Sequence, residues 1–219
     1  MTTQIITIDG PVASGKGTVA SLVADELGWC HLDSGALYRS IALAAKDSHI
    51  SFNDRGSLVE LAQKISIEFI GNEVYLDSKK VTKSIREEEI GLIASQIAVF
   101  PNLRQALLER QKQFAKAGNL VADGRDMGSV VFPDALLKIY LTASAEERAK
   151  RRSMQLGLAA DSDEYQQIYQ DILQRDDRDK NRAVAPLKPA YGARIIDSST
   201  LSIDETVKQI INWYQELIS

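Results

Sequence analysis

Apolar positions along the chain follow two rhythms. Short segments rich in apolar residues, at 5–9, 30–33, 120–123, 137–141 and 193–197, are each followed by glycine or a polar residue. Runs of that length and setting predict buried parallel strands. Between them, apolar residues recur three and four apart. Val19, Leu22, Val23 and Leu27 mark a helix over 15–27, and a second helix is expected over 36–45. Helical patterns follow at 87–99 and 103–116. Ile203, Val207, Ile210, Ile211, Tyr214 and Leu217 mark a last helix over 203–218. Strands alternating with helices predict an α/β doubly wound core around a mostly parallel five-stranded sheet. Two segments break the rhythm. Residues 65–85 alternate around the Gly71-Asn72 pair, the pattern of a small antiparallel meander. Residues 155–171 are polar and lie between two arginine clusters. They read either as a segment that closes over a bound anion or as an ordinary helix–helix connection.

Composition narrows the class. The 219 residues suit one large domain or a core with movable appendages. Hydrophobic residues at 44% and charged residues at 26% are the balance of a soluble globular protein. No apolar run approaches the roughly 18 to 20 residues that span a bilayer. The N-terminus MTTQIITIDG has no basic region and is not expected to be a signal peptide. A single cysteine, Cys30, excludes an intramolecular disulfide and a multi-cysteine zinc site. His31 and His49 are too few for a histidine-rich metal site, and Cys30 and His31 read as packing residues. The expected location is cytoplasmic. A net charge of −4 argues against a nucleic-acid coat. Arginine is nevertheless gathered in RAKRR (148–152) and RDDRDKNR (175–182), as expected of an acidic protein that binds a small polyanion.

The strongest motif is Gly10-Pro11-Val12-Ala13-Ser14-Gly15-Lys16-Gly17-Thr18, a G-x-x-x-x-G-K phosphate loop between a strand and a helix. Glycines let main-chain amides converge on phosphate oxygens, and the helix N-terminus adds donors and a favourable dipole. Lys16 supplies a mobile positive charge. The usual Ser/Thr after the lysine is Gly17 here, so the direct magnesium ligand of many such loops is missing. A Mg2+ held mainly by phosphates and water suits such a site.

Were 175–182 helical, Arg175, Arg178, Asp179 and Arg182 would share one face, with Asp176 and Asp177 off it. Three guanidiniums there repel until a phosphate arrives to accept bidentate bonds. The plain alternative is a solvated, salt-bridged helix end. Arg148, Arg151 and Arg152 stand on nearby turns of another helix. Asp33-Ser34-Gly35-Ala36-Leu37-Tyr38-Arg39, Asp123-Gly124-Arg125-Asp126 and Asp197-Ser198-Ser199-Thr200 follow strands, where open α/β sheets place ligands. Asp123 is a turn cap or part of a metal-water shell.

GPVASGKGT, LDSGALYR, ASQIAVFPNLR, ADGRDMGSVVFPDA, RDDRDKNRAVAPL and DSSTLSIDE, in this order along nearly the whole chain, resemble bacterial cytidylate kinases. The resemblance implies a P-loop NTPase fold with an enlarged monophosphate-binding insertion and a lid. It implies transfer of the γ-phosphoryl group of ATP to CMP or dCMP, with Mg2+. It divides the chain into a core (1–33, 118–153, 183–219), a monophosphate-binding region (34–117) and a lid with its flanking helix (154–182). The loop 10–18 would hold the ATP phosphates. Ser34, Arg39, Arg125 and Arg182 would surround the acceptor phosphate, with Tyr38 as a pocket wall. Arg175 and Asp179 would face the ribose, and Ser95, Arg104 and Asp126 the base. Arg148, Arg151, Arg152 and Arg178 would be lid-side cations, the first two toward ATP. Lys16, Arg125, Arg152, Arg178 and Arg182 would offset charge during transfer. A carboxylate can accept from cytosine N4, where uracil presents an acceptor instead. The expected partners are nucleotides, with no nucleic acid or membrane, and the expected state is a monomer. The nearest alternative is a P-loop kinase for UMP or another small acceptor. A GTP-dependent switch would need an N-K-x-D segment, which the chain lacks.

Overall fold

The computed structural model describes residues 3–71, 73–159 and 162–219. Asn72 of the Gly71-Asn72 pair and residues 160–161 of the polar segment lie outside the described residues. The elements begin with β1 (Ile5–Asp9), α1 (Lys16–Leu27), β2 (Cys30–Asp33), α2 (Ser34–Asp47) and α3 (Arg55–Lys64). Next come β3 (Ile67–Ile70), β4 (Glu73–Leu76), β5 (Lys79–Lys80), α4 (Glu88–Ile97) and α5 (Pro101–Phe114). The chain ends with β6 (Leu120–Gly124), β7 (Leu137–Thr142), α6 (Ala145–Gln155), α7 (Asp163–Asn181), β8 (Arg194–Asp197) and α8 (Ile203–Ile218). They group into two compact units, Met1–Leu32 with Phe114–Ser219, and Asp33–Gln113.

The first unit is built on a five-stranded parallel sheet in the order β2-β6-β1-β7-β8. β1 is central, pairing with β6 (Ile5↔Leu120 to Asp9↔Gly124) and with β7 (Ile6↔Leu137 to Asp9↔Tyr140). A central strand is covered on both faces, so Ile6 and Ile8 are fully buried. They pack in one cluster with Val19 and Val23 of α1, Ile139 and Leu141 of β7, and Ile210 and Ile211 of α8. Truncating any of these large side chains to Ala is worth about 2–5 kcal/mol. The start of α8 is fixed by a capping box between Ser202 and Glu205.

The second unit packs its helices around Leu37, Ile41, Leu58, Ile85, Ile90, Ile97, Leu103 and Leu107, each essentially inaccessible. The expected meander is present as the antiparallel sheet β3-β4-β5, confined to 67–80 and followed by a 3-10 turn at Ser84–Arg86. Asp77 and Ser78, with φ of 44° and 67°, make its second turn. The expected helix over 36–45 starts earlier, at Ser34, because Asp33 caps it by accepting from Ala36 N at 2.9 Å. The helices expected at 87–99 and 103–116 are α4 and α5. α3 has no counterpart in the sequence reading. It buries only Leu58 and Ala62, too few for a visible stripe. In the first unit, the polar segment read over 155–171 is already helical from Asp163, capped by Ser162.

Candidate active site

The loop after β1 is shaped by close approach and by cations. A Cβ at Gly10 would lie 2.0 Å from the Leu141 carbonyl oxygen, so only glycine fits. Ala13 (φ 58°) and Gly15 (φ 85°) are left-handed, and Gly15 opens α1 without any side-chain cap. Three cations take carbonyls of this loop. Lys16 Nζ donates to Pro11 O at 3.1 Å, Arg148 Nη1 to Val12 O at 3.2 Å and Arg151 Nη1 to Ser14 O at 3.4 Å. Across a trans peptide the carbonyl and the following amide point opposite ways. The N–H groups of Ala13 and Gly15 therefore turn away from the two arginines, as a phosphate cradle requires. Ser14 Oγ is buried and has no hydrogen-bond partner among the described residues, a vacant donor in the same loop.

Asp123, near the end of β6, is buried, and its Oδ1 is 2.9 Å from His31 Nε2. Its Oδ2 lies 3.9 Å from where a Cβ on Gly17 would stand. The carboxylate thus faces the position where other phosphate loops place a hydroxyl ligand. His31, read as a packing residue, is instead the partner of this carboxylate. No cluster of three or more His, Cys, Asp or Glu among the described residues is arranged to hold a metal ion. The buried Asp123 carboxylate beside Gly17 is an acceptor of the kind that fits a metal-bound water.

The turn after β6 carries the second constellation of this unit. Arg125 Nε donates to Asp179 Oδ2 at 2.7 Å, and Arg182 Nη2 lies 3.8 Å from Asp126 Oδ1. Asp126, Arg175 and Arg182 are all buried. Burial alone would raise the Asp179 carboxyl, but Arg125, with Arg182 and Lys16, holds it below the usual range. Burial likewise opposes the charge on Arg125, and Asp179 overrides it upward.

Beneath this turn lies Asp9. Its Oδ1 accepts from Met127 N and its Oδ2 from Gly128 N, both at 2.8 Å. Burial pushes its carboxyl up to about 6, against those two amides, with Asp126 adding to the rise and Lys16 countering it.

Several placements differ from the sequence reading. Arg182 does not share a helical face with Arg175, because α7 ends at Asn181 and Arg182 is extended (φ −64°, ψ 140°). It is held there by donating from Nε to Ala185 O. Arg178 is half-exposed and lines a shallow outer groove with Leu173, Gln174 and Asp177, unlike buried Arg175. Arg148, expected among lid cations, is buried in a bidentate pair with Asp176, at 3.0 and 2.6 Å. Arg151 bridges the loop to Ser198, donating to its Oγ at 3.1 Å. Arg152 is half-buried, with Nη1 3.4 Å from Gln155 Oε1.

In the second unit, Ser34, Tyr38 and Arg39 stand on α2, Ser95 on α4 and Arg104 on α5. Ser34 Oγ donates to Gln111 Oε1 at 2.7 Å. Arg39 Nη1 donates to Ile85 O at 3.0 Å, and its guanidinium lies where a Cβ on Gly91 would come within 2.7 Å. Arg104 Nη1 donates to Ala98 O at 3.2 Å. Asp9, Asp176 and Gln111 were not singled out from sequence. Each is defined by partners at least 28 residues away, which no local pattern reports.

A phosphate loop at the end of the central strand of a parallel sheet, beside an arginine–carboxylate cluster, defines a P-loop nucleotide-binding α/β protein. A family model described as "Cytidylate kinase" matches residues 6–216, and the chain belongs to the cytidylate kinase family. A cytidylate kinase of Stutzerimonas stutzeri is 51% identical over 95% of this chain and 93% of its own length. That of Chromobacterium violaceum is 50% identical over 99% and 97%. A solved structure of an uncharacterized protein from Eubacterium ventriosum shares the fold, with a TM-score of 0.52 at 13% identity over 96% of this chain and 98% of that one. No helix among the described residues is long and apolar enough to cross a membrane.

Proposed function

We propose that this chain transfers the γ-phosphoryl group of ATP to CMP or dCMP, giving CDP or dCDP and ADP. Membership of the cytidylate kinase family over residues 6–216 carries the reading. An acceptor phosphate oxygen forms the new bond to the γ-phosphorus as the bond to the ADP oxygen breaks. No protein nucleophile is needed, because the acceptor phosphate is ionised at neutral pH. The protein's work is positioning and charge neutralisation.

The amides of 10–18, with Lys16, hold the donor phosphates. Arg151 and Arg148 brace that loop from behind through the carbonyls they bind. Arg125 and Arg182 take the acceptor phosphate together with Arg39 and with Ser34, whose hydroxyl leaves Gln111 Oε1 to donate to it, and Tyr38 walls the pocket. Asp179 and Arg175 face the ribose. Asp126, Ser95 and Arg104 face the cytosine, Asp126 accepting from N4. Arg152 and Arg178 supply lid-side charge. Asp123 would stand behind the waters of a bound Mg2+, which would supply neutralisation of charge on the phosphates. Residues 1–33, 118–153 and 183–219 form the core of this reading, 34–117 the acceptor region and 154–182 the lid. The protein acts as a cytoplasmic monomer on nucleotides.

The test is to incubate the chain with ATP, MgCl2 and each of CMP, dCMP, UMP, AMP and GMP, and to identify the diphosphate by chromatography. CDP and dCDP are the expected products. Formation of another diphosphate alone, or of none, overturns the reading. Lys16→Ala is expected to lower kcat about 10²- to 10³-fold with an unchanged melting temperature.

A further inference from the structure

We propose that Asp9 is a positioning residue for base recognition, setting the geometry of the turn that carries Arg125 and Asp126. The proposal rests on the cytidylate reading above. Asp9 ends the central strand β1 and is 3% exposed. Its two oxygens each hold one of two successive amides, Met127 N and Gly128 N. These amides open the short turn of π-type helix Met127–Val131, whose first N–H groups have no partner within the turn. Amides bound to an ionised oxygen make the stronger class of hydrogen bond. Asp126 is the residue immediately before them.

A second contact on the same strand seats the turn. Thr7 lies two residues before Asp9 and so on the same face of β1. Its Oγ1 is buried and lies 2.7 Å from where a Cβ on Gly128 would stand. The turn is thus drawn down by the Asp9 carboxylate and stopped by Thr7, at a spacing only glycine allows. On the opposite side, Gly10 N donates to Gly124 O at 3.3 Å. The backbone beneath Asp126 is therefore referenced to the strand that leads into the phosphate loop. Asp9 touches no substrate atom in this scheme. A shift of the turn by about 1 Å is enough to cost about 100-fold in a site that depends on position.

A buried carboxylate that merely stabilised the fold would affect every acceptor alike. A positioning role moves the choice between acceptors. The experiment measures kcat and KM for CMP, UMP and ATP in the wild type, Asp9→Asn, Gly128→Ala, Thr7→Ala/Gly128→Ala and Asp126→Ala. Asn keeps the size of Asp9 but offers only one acceptor oxygen to the two amides. Asp9→Asn is expected to raise KM for CMP and cut the CMP-over-UMP preference, each roughly tenfold, with KM for ATP within about twofold. Gly128→Ala should do the same without altering any charge. Removing the Thr7 hydroxyl in the double variant should restore most of the preference, and it widows no partner among the described residues. Equal losses for CMP and UMP in Asp9→Asn overturn the proposal. So does an unchanged preference in Gly128→Ala, which keeps the question answerable even where Asp9→Asn folds poorly. Wild type without a CMP preference would overturn the cytidylate reading and this proposal with it. A normal wild type and a non-selective Asp126→Ala, beside a fully selective Asp9→Asn, would overturn the Asp9 role alone.

Discussion

Asp176 and Asp179 stand one turn apart on α7, and each holds an arginine, but the two pairs are built differently. Arg148 has all three nitrogens engaged: Nε on Ala143 O, Nη1 on Val12 O and Asp176 Oδ1, and Nη2 on Asp176 Oδ2. The side chains of that pair are 4% and 10% exposed. Arg125 gives Nε to Asp179 and Nη1 to Gly124 O at 3.4 Å, and its side chain is 24% exposed. Its Nη2 makes no bond among the described residues. The first pair is closed and fastens the phosphate loop to α6 and α7. The second is open, aligned by Asp179 yet still holding donors for an anion. Identical chemistry on one helix is spent wholly on the frame in one place and leaves donors unspent in the other, and what differs is how many donors the protein itself consumes.

The comparison breaks first at Asp176. Removing one partner of a buried pair leaves an uncompensated charge, so Asp176→Ala is expected to cost about 3–5 kcal/mol by urea denaturation. Replacing both partners by apolar residues, Arg148→Met with Asp176→Leu, should return much of that stability. A loss below about 1 kcal/mol for Asp176→Ala would place the pair with ordinary surface bridges and remove the distinction.

A third carboxylate sharpens the contrast. Asp9 is as buried as Asp176, but its partners are amides rather than a guanidinium, and its carboxyl sits at about 6 against an ordinary 3.8. Below about pH 4 the folded and unfolded chains both hold this proton. Between about 4 and 6 only the folded chain holds it, so stability falls as pH rises, by at most about 1.4 kcal/mol per pH unit. Asp179, held below its ordinary value, has the opposite sign, and its contribution is lost only on acidification below that window. Urea-derived stabilities of the wild type and Asp9→Asn from pH 4 to 7 isolate the effect, since the other groups are common to both. The deficit of Asp9→Asn is expected to shrink as pH rises from 4 to 6. Parallel curves would show that Asp9 does not titrate there.

These contrasts also mark what the amino-acid order could reveal. The five strands and the phosphate loop were legible because each is local: an apolar run, or glycines and a lysine at fixed offsets. The cytidylate motifs supplied the residues proposed for the base and phosphate sites. The helical-face reading of 175–182 failed at Arg182, because periodicity carries no mark of a helix ending one residue earlier. It also set Asp176 aside as off the arginine face, when that position turns it toward Arg148, 28 residues back. Asp9 looked like the polar end of a strand. Its role depends on amides 118 and 119 residues ahead, and main-chain groups have no letter in a sequence.

The smallest change in stability is expected at Asp179, and it tests the open pair most directly. In Asp179→Ala the Arg125 guanidinium can turn to solvent, so the cost should be about 1 kcal/mol or less, as for a partly exposed bridge. Function should respond more than stability. Without Asp179 the guanidinium loses its fixed Nε contact, and its remaining donors no longer start from one orientation. KM for CMP is expected to rise roughly tenfold, since the proposed ribose contact is lost and an arginine that must be ordered by the ligand charges that ordering to binding. KM for ATP should stay within about twofold. Were Asp179→Ala to lose as much stability as Asp176→Ala with KM for CMP unchanged, the two pairs would be equivalent in kind. The division of the α7 aspartates into one that fastens a frame arginine and one that aligns a ligand-facing arginine would then be wrong.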